Sequence, residues 1–435
     1  MHARQPSVNI CNANVANATS ASQNGTEEVG IRMTKFCQTA IIGAGPYGLS
    51  LAAHLADAGA DFRIFGKPLT TWRDHMPQGM LLKSDGFASN LSSPDPQSTL
   101  KAWSAERGLD YDDCYLPVAL STFAAYSGWF QKRYVPMLEE QQVVSLARSR
   151  RGFSLSLGPG ESLEAGRVVL AVGINWFKNM PGVLTGLPDD LVSHSYDHHD
   201  MSCFAGKKLL ILGAGSSAVD TAVLAQDAGA DVSLLARAPF IRYHSMPDPD
   251  ELSWLKAITN PSSGIGPGWR SFMCSKAPRL FRRLPESLRL RATKRHLGPA
   301  PGWFMQGKLK AMTYLGHEIE KAAVHGNRIL LKANGSDGER TEILADHVIA
   351  ATGYVPDLRR LPFLDAGLRE QIAHVVHTPK LSDHFETSVP GLYAMGSLAA
   401  NTFGPLMRFM VGAEYAAPRV AARLVKTAAK HRQVA

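Results

Sequence analysis

Two glycine-rich turns 170 residues apart, Gly43-Ala44-Gly45-Pro46-Tyr47-Gly48 and Gly213-Ala214-Gly215-Ser216-Ser217-Ala218, constrain this chain more than any other feature. Each sits between an apolar run and a helix-forming one. Thr39-Ala40-Ile41-Ile42 and Leu209-Leu210-Ile211-Leu212 have the composition of buried parallel strands, whereas Leu49 to Ala58 and Val219 to Ala228 are rich in Ala, Leu and Val. In a strand–turn–helix of this kind the first glycine permits the tight turn. The second lets the backbone approach a pyrophosphate, and the third, here Gly48 or its tolerated replacement Ala218, packs helix closely on strand. Phosphates then lie at a helix N-terminus, so the chain reads as binding two dinucleotides. The contacts expected are Gly43, Gly45, Pro46, Tyr47 and Gly48 at the first turn, and Gly213, Gly215, Ser216 and Ser217 at the second.

The next strand of each unit separates the two cofactors. An acid at its end holds a ribose hydroxyl, and a basic residue there suits a 2′-phosphate. Val232-Ser233-Leu234-Leu235-Ala236 ends at Arg237, which favours NADPH over NADH. Phe62-Arg63-Ile64-Phe65 ends at Gly66-Lys67, so the ribose acid is missing there and Lys67 is counted with the cofactor contacts.

Length and composition agree with an α/β enzyme. A chain of 435 residues with 45% hydrophobic content can bury two or three cores. No apolar run is long enough to span a bilayer. Five cysteines without a C-x-x-C pair point to a reducing compartment, the cytoplasm, and against a dithiol reductase and a metal centre. Residues 1 to 35 lack the apolar core of a signal peptide and read as a disordered extension. The net charge of +8 is densest between Arg270 and Arg295, a stretch read as a solvated helical face, with a membrane-surface helix and an anion-attracting patch as alternatives. His194, His198, His199 and Asp200 lack a cysteine partner and read as hinge or surface histidines. Nothing points to nucleic acid, and an oligomer is left open.

Paired strands are expected at Arg328 to Lys332 and Glu342 to Leu344, with a buried strand, Val348 to Ala350, running into Ala351-Thr352-Gly353-Tyr354. The fold class is two Rossmann-like dinucleotide-binding domains, each three-layer ββα, with the NADPH domain inserted into the FAD domain. The expected division is 36–190 and 346–435 for the FAD domain and 191–345 for the NAD(P)H domain, the crossings falling near 190 and 350.

The paired glycine turns, Ala351-Thr352-Gly353-Tyr354 and Gly391-Leu392-Tyr393-Ala394-Met395-Gly396 together resemble the two-dinucleotide-binding-domain flavoproteins, and within them the class B flavin monooxygenases. The resemblance runs from about residue 36 to residue 425 and departs at Ser397, where an acid is common, and at the linker, where the histidine-containing pattern is not matched. It implies FAD at the first turn, NADPH at the second, a domain-linking turn at Thr352 and Gly353, and backbone contact to the ribityl chain near Gly396. It also implies Trp72 and Met80 beside the flavin, Lys83 and Asn90 near the reacting atoms, and Pro405 and Leu406 at a helix start facing the flavin pyrimidine, with Arg408 beside them either binding an acidic substrate in the catalytic site or pairing with a nearby carboxylate. The implied activity is insertion of one atom of O2 into a small nucleophilic substrate, a nitrogen heterocycle such as urate or an amine, through a flavin C4a-hydroperoxide. A NAD(P)H–flavin oxidoreductase that passes electrons to a protein or quinone, and a non-catalytic dinucleotide sensor, are the alternatives.

Overall fold

A computed structural model describes residues 35–158, 160–246, 258–296 and 298–434, with side chains through residue 428. The reading of the N-terminal extension lies outside these residues. The first sheet is built on β1 (Lys35–Ile42), followed by α1 (Pro46–Asp57) and β2 (Phe62–Phe65), which pairs with β1 in parallel. Helices α2 (Leu100–Glu106) and α3 (Leu120–Tyr134) then lead into β3 (Val143–Ser149), β4 (Gly152–Leu157) and β5 (Glu161–Leu170).

Strand β5 does two jobs because it is long. Its first half pairs with β4 in an antiparallel meander, and its last three residues pair in parallel with a late strand at Leu392–Ala394. The other edge of β5 pairs with β1 along its length. In this way the C-terminal part of the chain returns to the sheet that the N-terminal part began.

The second sheet is wholly parallel. It runs β6 (Val192–His194), then β13 (His347–Ala350), β7 (Lys208–Leu212), β8 (Asp231–Ala236) and β9 (Met312–Leu315) in spatial order. Helix α4 (Ser216–Asp227) follows β7, and β10 (His317–His325), β11 (Arg328–Gly335) and β12 (Arg340–Ala345) form an antiparallel sheet. Alternation along β7 explains the layers. Leu209 and Ile211 pack with Ala218 and Ala222 of α4, whereas Leu210 and Leu212 pack with Ile329 and Leu331 of β11. A strand buried on both faces must be continuously apolar, which is what made it legible in the sequence.

Strand β13 pairs with β6 and β7, so Val348 to Ala350 belong to the second sheet, and the chain returns to the first only after Ala350. The expected boundary at 346 therefore cuts ahead of a strand that the second sheet holds by hydrogen bonds on both sides. The basic stretch forms three short helices, α5 (Trp269–Lys276), α6 (Pro278–Arg283) and α7 (Glu286–Arg295). The chain closes on α8 (Gly412–Val434), whose small residues Ala413, Ala416 and Ala417 are fully buried and let it lie against α1.

At the first turn a Cβ on Gly48 would come 1.9 Å from the Gly43 carbonyl oxygen, so α1 can rest on β1 only if residue 48 has no side chain. Gly48→Ala is expected to lower unfolding stability by roughly 1–3 kcal/mol, the usual cost of overpacking. Urea unfolding monitored by circular dichroism measures it, and an unchanged midpoint would show that the turn tolerates a methyl group.

Candidate functional site

The carboxyl ends of β1 and β5 and the N-terminus of α1 meet around a cavity of about 680 Å3. Gly43 (φ +112°) makes the turn, and a Cβ there would lie 2.3 Å from the Ala171 carbonyl oxygen. Nothing lies within 4 Å of a Cβ on Gly45, which faces open space, and α1 starts at Gly45 without a side-chain cap. The uncapped N–H groups of a first helical turn beside open volume suit a pyrophosphate, so the residues present fit a dinucleotide at this turn. Gly43, Gly45, Pro46 and Tyr47 line the cavity, as expected. Gly48 does not; its role is the helix–strand contact. The Tyr47 ring is buried and its hydroxyl donates to the Phe409 carbonyl at 2.8 Å, fastening the turn to the C-terminal segment.

Lys67, Trp72, Met80, Lys83, Gly396 and Arg408 also line this cavity. The strap carrying Trp72 to Lys83 starts as a π-helical turn, Thr71–His75, and is held by the domain linker. His75 stacks on Tyr196 at 3.9 Å between ring centroids, Gln78 N donates to the His199 carbonyl at 2.8 Å, and the His199 ring bonds the Met76 carbonyl. The linker histidines are thus structural. His194 bonds the Gly353 carbonyl at 3.1 Å, and His198 shares Ser193 with His347.

Asn90, Thr352, Gly353, Pro405 and Leu406 are absent from the lining. Asn90 donates to the Phe87 carbonyl and accepts from Leu100 N at 2.8 Å, which commits its amide to shaping a turn. Thr352 bonds the Asn179 carbonyl through its hydroxyl, and Asn179 N donates to Gly353 O at 2.9 Å, so this pair clasps the linker. Pro405 to Arg408 form a 3-10 turn, and the long helix starts only at Gly412, a correction to the helix expected at the glycine-proline turn. Gly404 (φ +95°) interrupts the backbone ahead of it.

Electrostatics concentrate at one wall, where Lys83, Arg408, Asp220 and His244 face the same space. Burial lowers the Lys83 ammonium to about 8, with the Arg408 charge pushing the same way and Asp220 opposing. Burial raises the Asp220 carboxyl to about 7 against the pull of Lys83, and lowers the His244 imidazole to about 4. Asp85, on the same cavity, is lifted to about 6 by burial. Burial also lowers Arg408, whose guanidinium donates to the Thr293 carbonyl at 3.3 Å and pairs with no carboxylate among the described residues. Asp220 and Lys83 therefore both titrate close to neutrality, the range in which a side chain can give and take a proton.

Asp220 and Glu140 are the residues that sequence reasoning missed. Asp220 lies one helical turn beyond Ser216 and Ser217, with which it lines the cavity, and a lone acid amid Ala218, Val219, Ala222 and Val223 was the available signal. Glu140 also lines the cavity, next to Glu139, whose carbonyl accepts from Gly66 N at 3.0 Å at the end of β2. An acid thus reaches the place where β2 itself offers only Lys67. No sequence pattern joins residues 66 and 140.

The second turn has the same backbone as the first, with Gly213 at φ +134° and a Cβ there 2.5 Å from the Ala351 carbonyl oxygen. Its surroundings differ. A Cβ on Gly215 would lie 2.9 Å from Pro299 Cβ, and the Ser216 hydroxyl donates to the Ala300 carbonyl at 2.7 Å. Gly213 and Gly215 do not line the cavity, whereas Ser216 and Ser217 do. Arg237 follows β8 directly and is exposed.

The sequence profile of the pyridine nucleotide-disulphide oxidoreductase family matches residues 40–263, which is more than half of the chain. The chain belongs to this family. Among its relatives, an FAD-dependent urate hydroxylase of Xanthomonas campestris pv. campestris is 30% identical over 162 residues, 35% of this chain and 33% of that protein. A ferredoxin–NADP reductase of Gluconacetobacter diazotrophicus is 24% identical over 277 residues, 61% of this chain and 62% of the relative. The chain therefore aligns with less than two thirds of either. The fold is shared with the ornithine N-hydroxylase of Kutzneria sp. 744, solved with reduced FAD, NADP+ and L-ornithine. That match has a TM-score of 0.72 at 14% identity and covers 90% of this chain and 99% of that one. Within the pyridine nucleotide-disulphide oxidoreductase family, this chain has no C-x-x-C pair in its sequence.

The buried carboxyl has a consequence for stability. A carboxyl raised from 3.8 to about 7 stabilises the fold fully below the lower value and loses that contribution as pH rises through the upper one. The stability of Asp220→Asn relative to the parent protein should thus increase between pH 4 and 7, by up to roughly 1.4 kcal/mol per pH unit, and then level off. Denaturant titrations across that range measure the difference, and a flat difference would place the Asp220 carboxyl in water.

Proposed function

We propose that this chain is an FAD-dependent, NADPH-using monooxygenase acting on a small nucleophilic substrate, with an electron-rich nitrogen heterocycle of the urate type as the favoured substrate and an amine as the other. The observation that carries the reading is that one cavity is lined both by the open first turn and by the helix behind the second. A flavin bound there supplies the redox and oxygen chemistry. The protein groups bind, orient, exclude water and hold protons.

Gly43, Gly45 and the N-terminus of α1 would hold the FAD pyrophosphate, Glu140 a ribose hydroxyl, and Gly396 with Ser397 the ribityl chain. Trp72, Met80 and Met407 would wall the flavin ring. These residues support the assignment by lining the same cavity. At the second turn Ser216 and Ser217 would meet the NADPH pyrophosphate and Arg237 the 2′-phosphate, and this needs Pro299 and Ala300 to move away from Gly215. The cation pair Lys83 and Arg408 suits an anionic heterocycle better than an alkylammonium, since only Asp220 and Asp85 oppose it on that cavity wall. Asp220 would take a proton from the substrate nitrogen and hold it on its carboxyl, while the Lys83 ammonium would offset the negative charge of the substrate.

A second reading, a reductase that passes electrons to a protein carrier without oxygenation, is favoured by the ferredoxin–NADP reductase relative. Simultaneous oxygen-electrode and absorbance traces on the FAD-reconstituted protein separate the two. One O2 consumed and one product hydroxylated per NADPH is expected with urate or an amine. NADPH oxidation that needs a carrier protein and leaves O2 untouched would establish the reductase.

The nicotinamide preference is tested separately. Arg237→Ala should raise KM for NADPH by an amount corresponding to roughly 1–3 kcal/mol, the worth of a charge-assisted phosphate contact, and leave KM for NADH nearly unchanged. Equal losses with both would remove Arg237 from the site.

A further inference from the structure

The three helices α5, α6 and α7 carry a surface that the chemistry above does not use. Residues 269–296 contain nine Lys and Arg against the single acid Glu286, a surplus of eight equal to the formal net charge of the whole chain. The rest of the protein is balanced. Part of this charge is consumed internally: Arg282 bonds Asp383 at 2.9 Å and the Leu381 carbonyl, and buried Arg289 donates to Asn401 O at 3.2 Å. Thr293 accepts from Arg408 and donates to the Ala400 carbonyl, so the inner side of α7 is bonded to the segment that walls the cavity.

The outer side combines charge with exposed apolar groups. Trp269 and Leu280 are 52% and 56% exposed, Leu288 is 51% exposed, and Met273 and Leu284 are nearly as open. Large apolar side chains are seldom clustered this way on a solvated face. Helical spacing sorts them with the cations. Trp269, Met273 and Lys276 share one stripe of α5 at i, i+4 and i+7, opposite buried Ser271. On α7, Leu288, Arg291 and Arg295 share the stripe opposite buried Arg289 and Thr293. Arg283, Arg291, Lys294 and Arg295 are exposed and form no ion pair among the described residues.

We propose that the outer face of α5 to α7 docks this protein on an anionic phospholipid surface, with Trp269, Met273, Leu280, Leu284 and Leu288 entering the headgroup boundary and the neighbouring arginines and lysines meeting lipid phosphates. Interleaved apolar and basic groups on short helices lying in one surface are the arrangement that binds an interface without crossing it. Among the described residues no helix is long and apolar enough to cross a membrane. A second copy of the chain is a poor occupant, because two faces each carrying this surplus repel one another. A nucleic acid would engage the cations and leave the exposed leucines and methionine without a role. Docking would bring the bilayer against the helices whose inner side holds Arg408.

Sedimentation of the full-length protein with sucrose-loaded vesicles tests this. The comparison is between phosphatidylcholine alone and the same lipid with one third phosphatidylglycerol. Binding is expected to be at least tenfold tighter on the anionic vesicles and to weaken at least tenfold between about 0.1 and about 0.5 M NaCl, where screening shortens from ~10 Å to a few ångströms. A triple variant, Leu280→Glu, Leu284→Glu and Leu288→Glu, should lose at least tenfold in vesicle affinity with an unchanged circular dichroism spectrum. Met312→Glu, at an exposed apolar site on β9, should bind like the parent. Equal affinity for neutral vesicles, no sedimentation with either lipid, or a triple variant that binds like the parent would each overturn the proposal. So would binding of a short RNA with the same salt dependence in parent and triple variant alike without vesicle binding, or light scattering that shows a dimer abolished by the triple variant. None of these readouts depends on the redox activity.

Discussion

The contact on which the molecule depends is the close approach of three backbone segments at the carboxyl end of the first sheet. Gly48 sits against the Gly43 carbonyl, Gly43 against the Ala171 carbonyl, and Gly396 against the Tyr47 ring. The first two contacts exclude a side chain, the third is a close one at 3.3 Å with Gly396 at φ +68°, and together they bring residues 43, 171 and 396 to one place. The open space beside Gly45 exists because its neighbours are packed so tightly. Parallel strands make this possible, since the turns after β1 and β5 then leave the sheet at the same edge.

The two glycine turns are alike in backbone and unlike in surroundings. At the first, Gly45 faces the cavity. At the second, Pro299 stands over Gly215, and only the serines at the start of α4 and Asp220 one turn further reach the shared space. That helix carries an acid into a site otherwise dominated by Lys83 and Arg408. Placing a carboxylate and two cations in a largely apolar cavity is unfavourable for each alone, which is why burial leads the causes of every shift there. Burial brings Lys83 and Asp220 near neutrality, and their mutual attraction limits how far each is shifted.

The linker histidines show how the strap over the cavity is held. His75 bonds the Tyr196 carbonyl and stacks on its ring and His199 bonds the Met76 carbonyl, tying Thr71 to Met80 to the start of the second domain, while His194 bonds the Gly353 carbonyl. The clustering of His194, His198, His199 and Asp200 in the sequence has the look of a metal site. The structure explains it by the number of carbonyls that a non-helical crossing leaves to be satisfied.

The sequence by itself determined the two βα units, the continuous strands and the paired β11 and β12, and of the residues it singled out Gly43, Gly45, Lys67, Lys83, Gly396 and Arg408 line the cavity whereas Gly213, Gly215, Gly353 and Arg237 do not. These are local matters: a buried parallel strand must be apolar throughout, and a tight turn over a phosphate must be glycine. What only the tertiary structure decided was the company those residues keep. Asn90, plausible beside a flavin, spends its amide on Phe87 and Leu100, and β13 joins the second sheet because hydrogen-bonding neighbours, not composition, assign a strand to a sheet. Asp220 reaches Lys83, and Glu140 reaches the end of β2, across 137 and 75 residues of chain. Burial and charge coupling act through space, and no spacing along the chain encodes them.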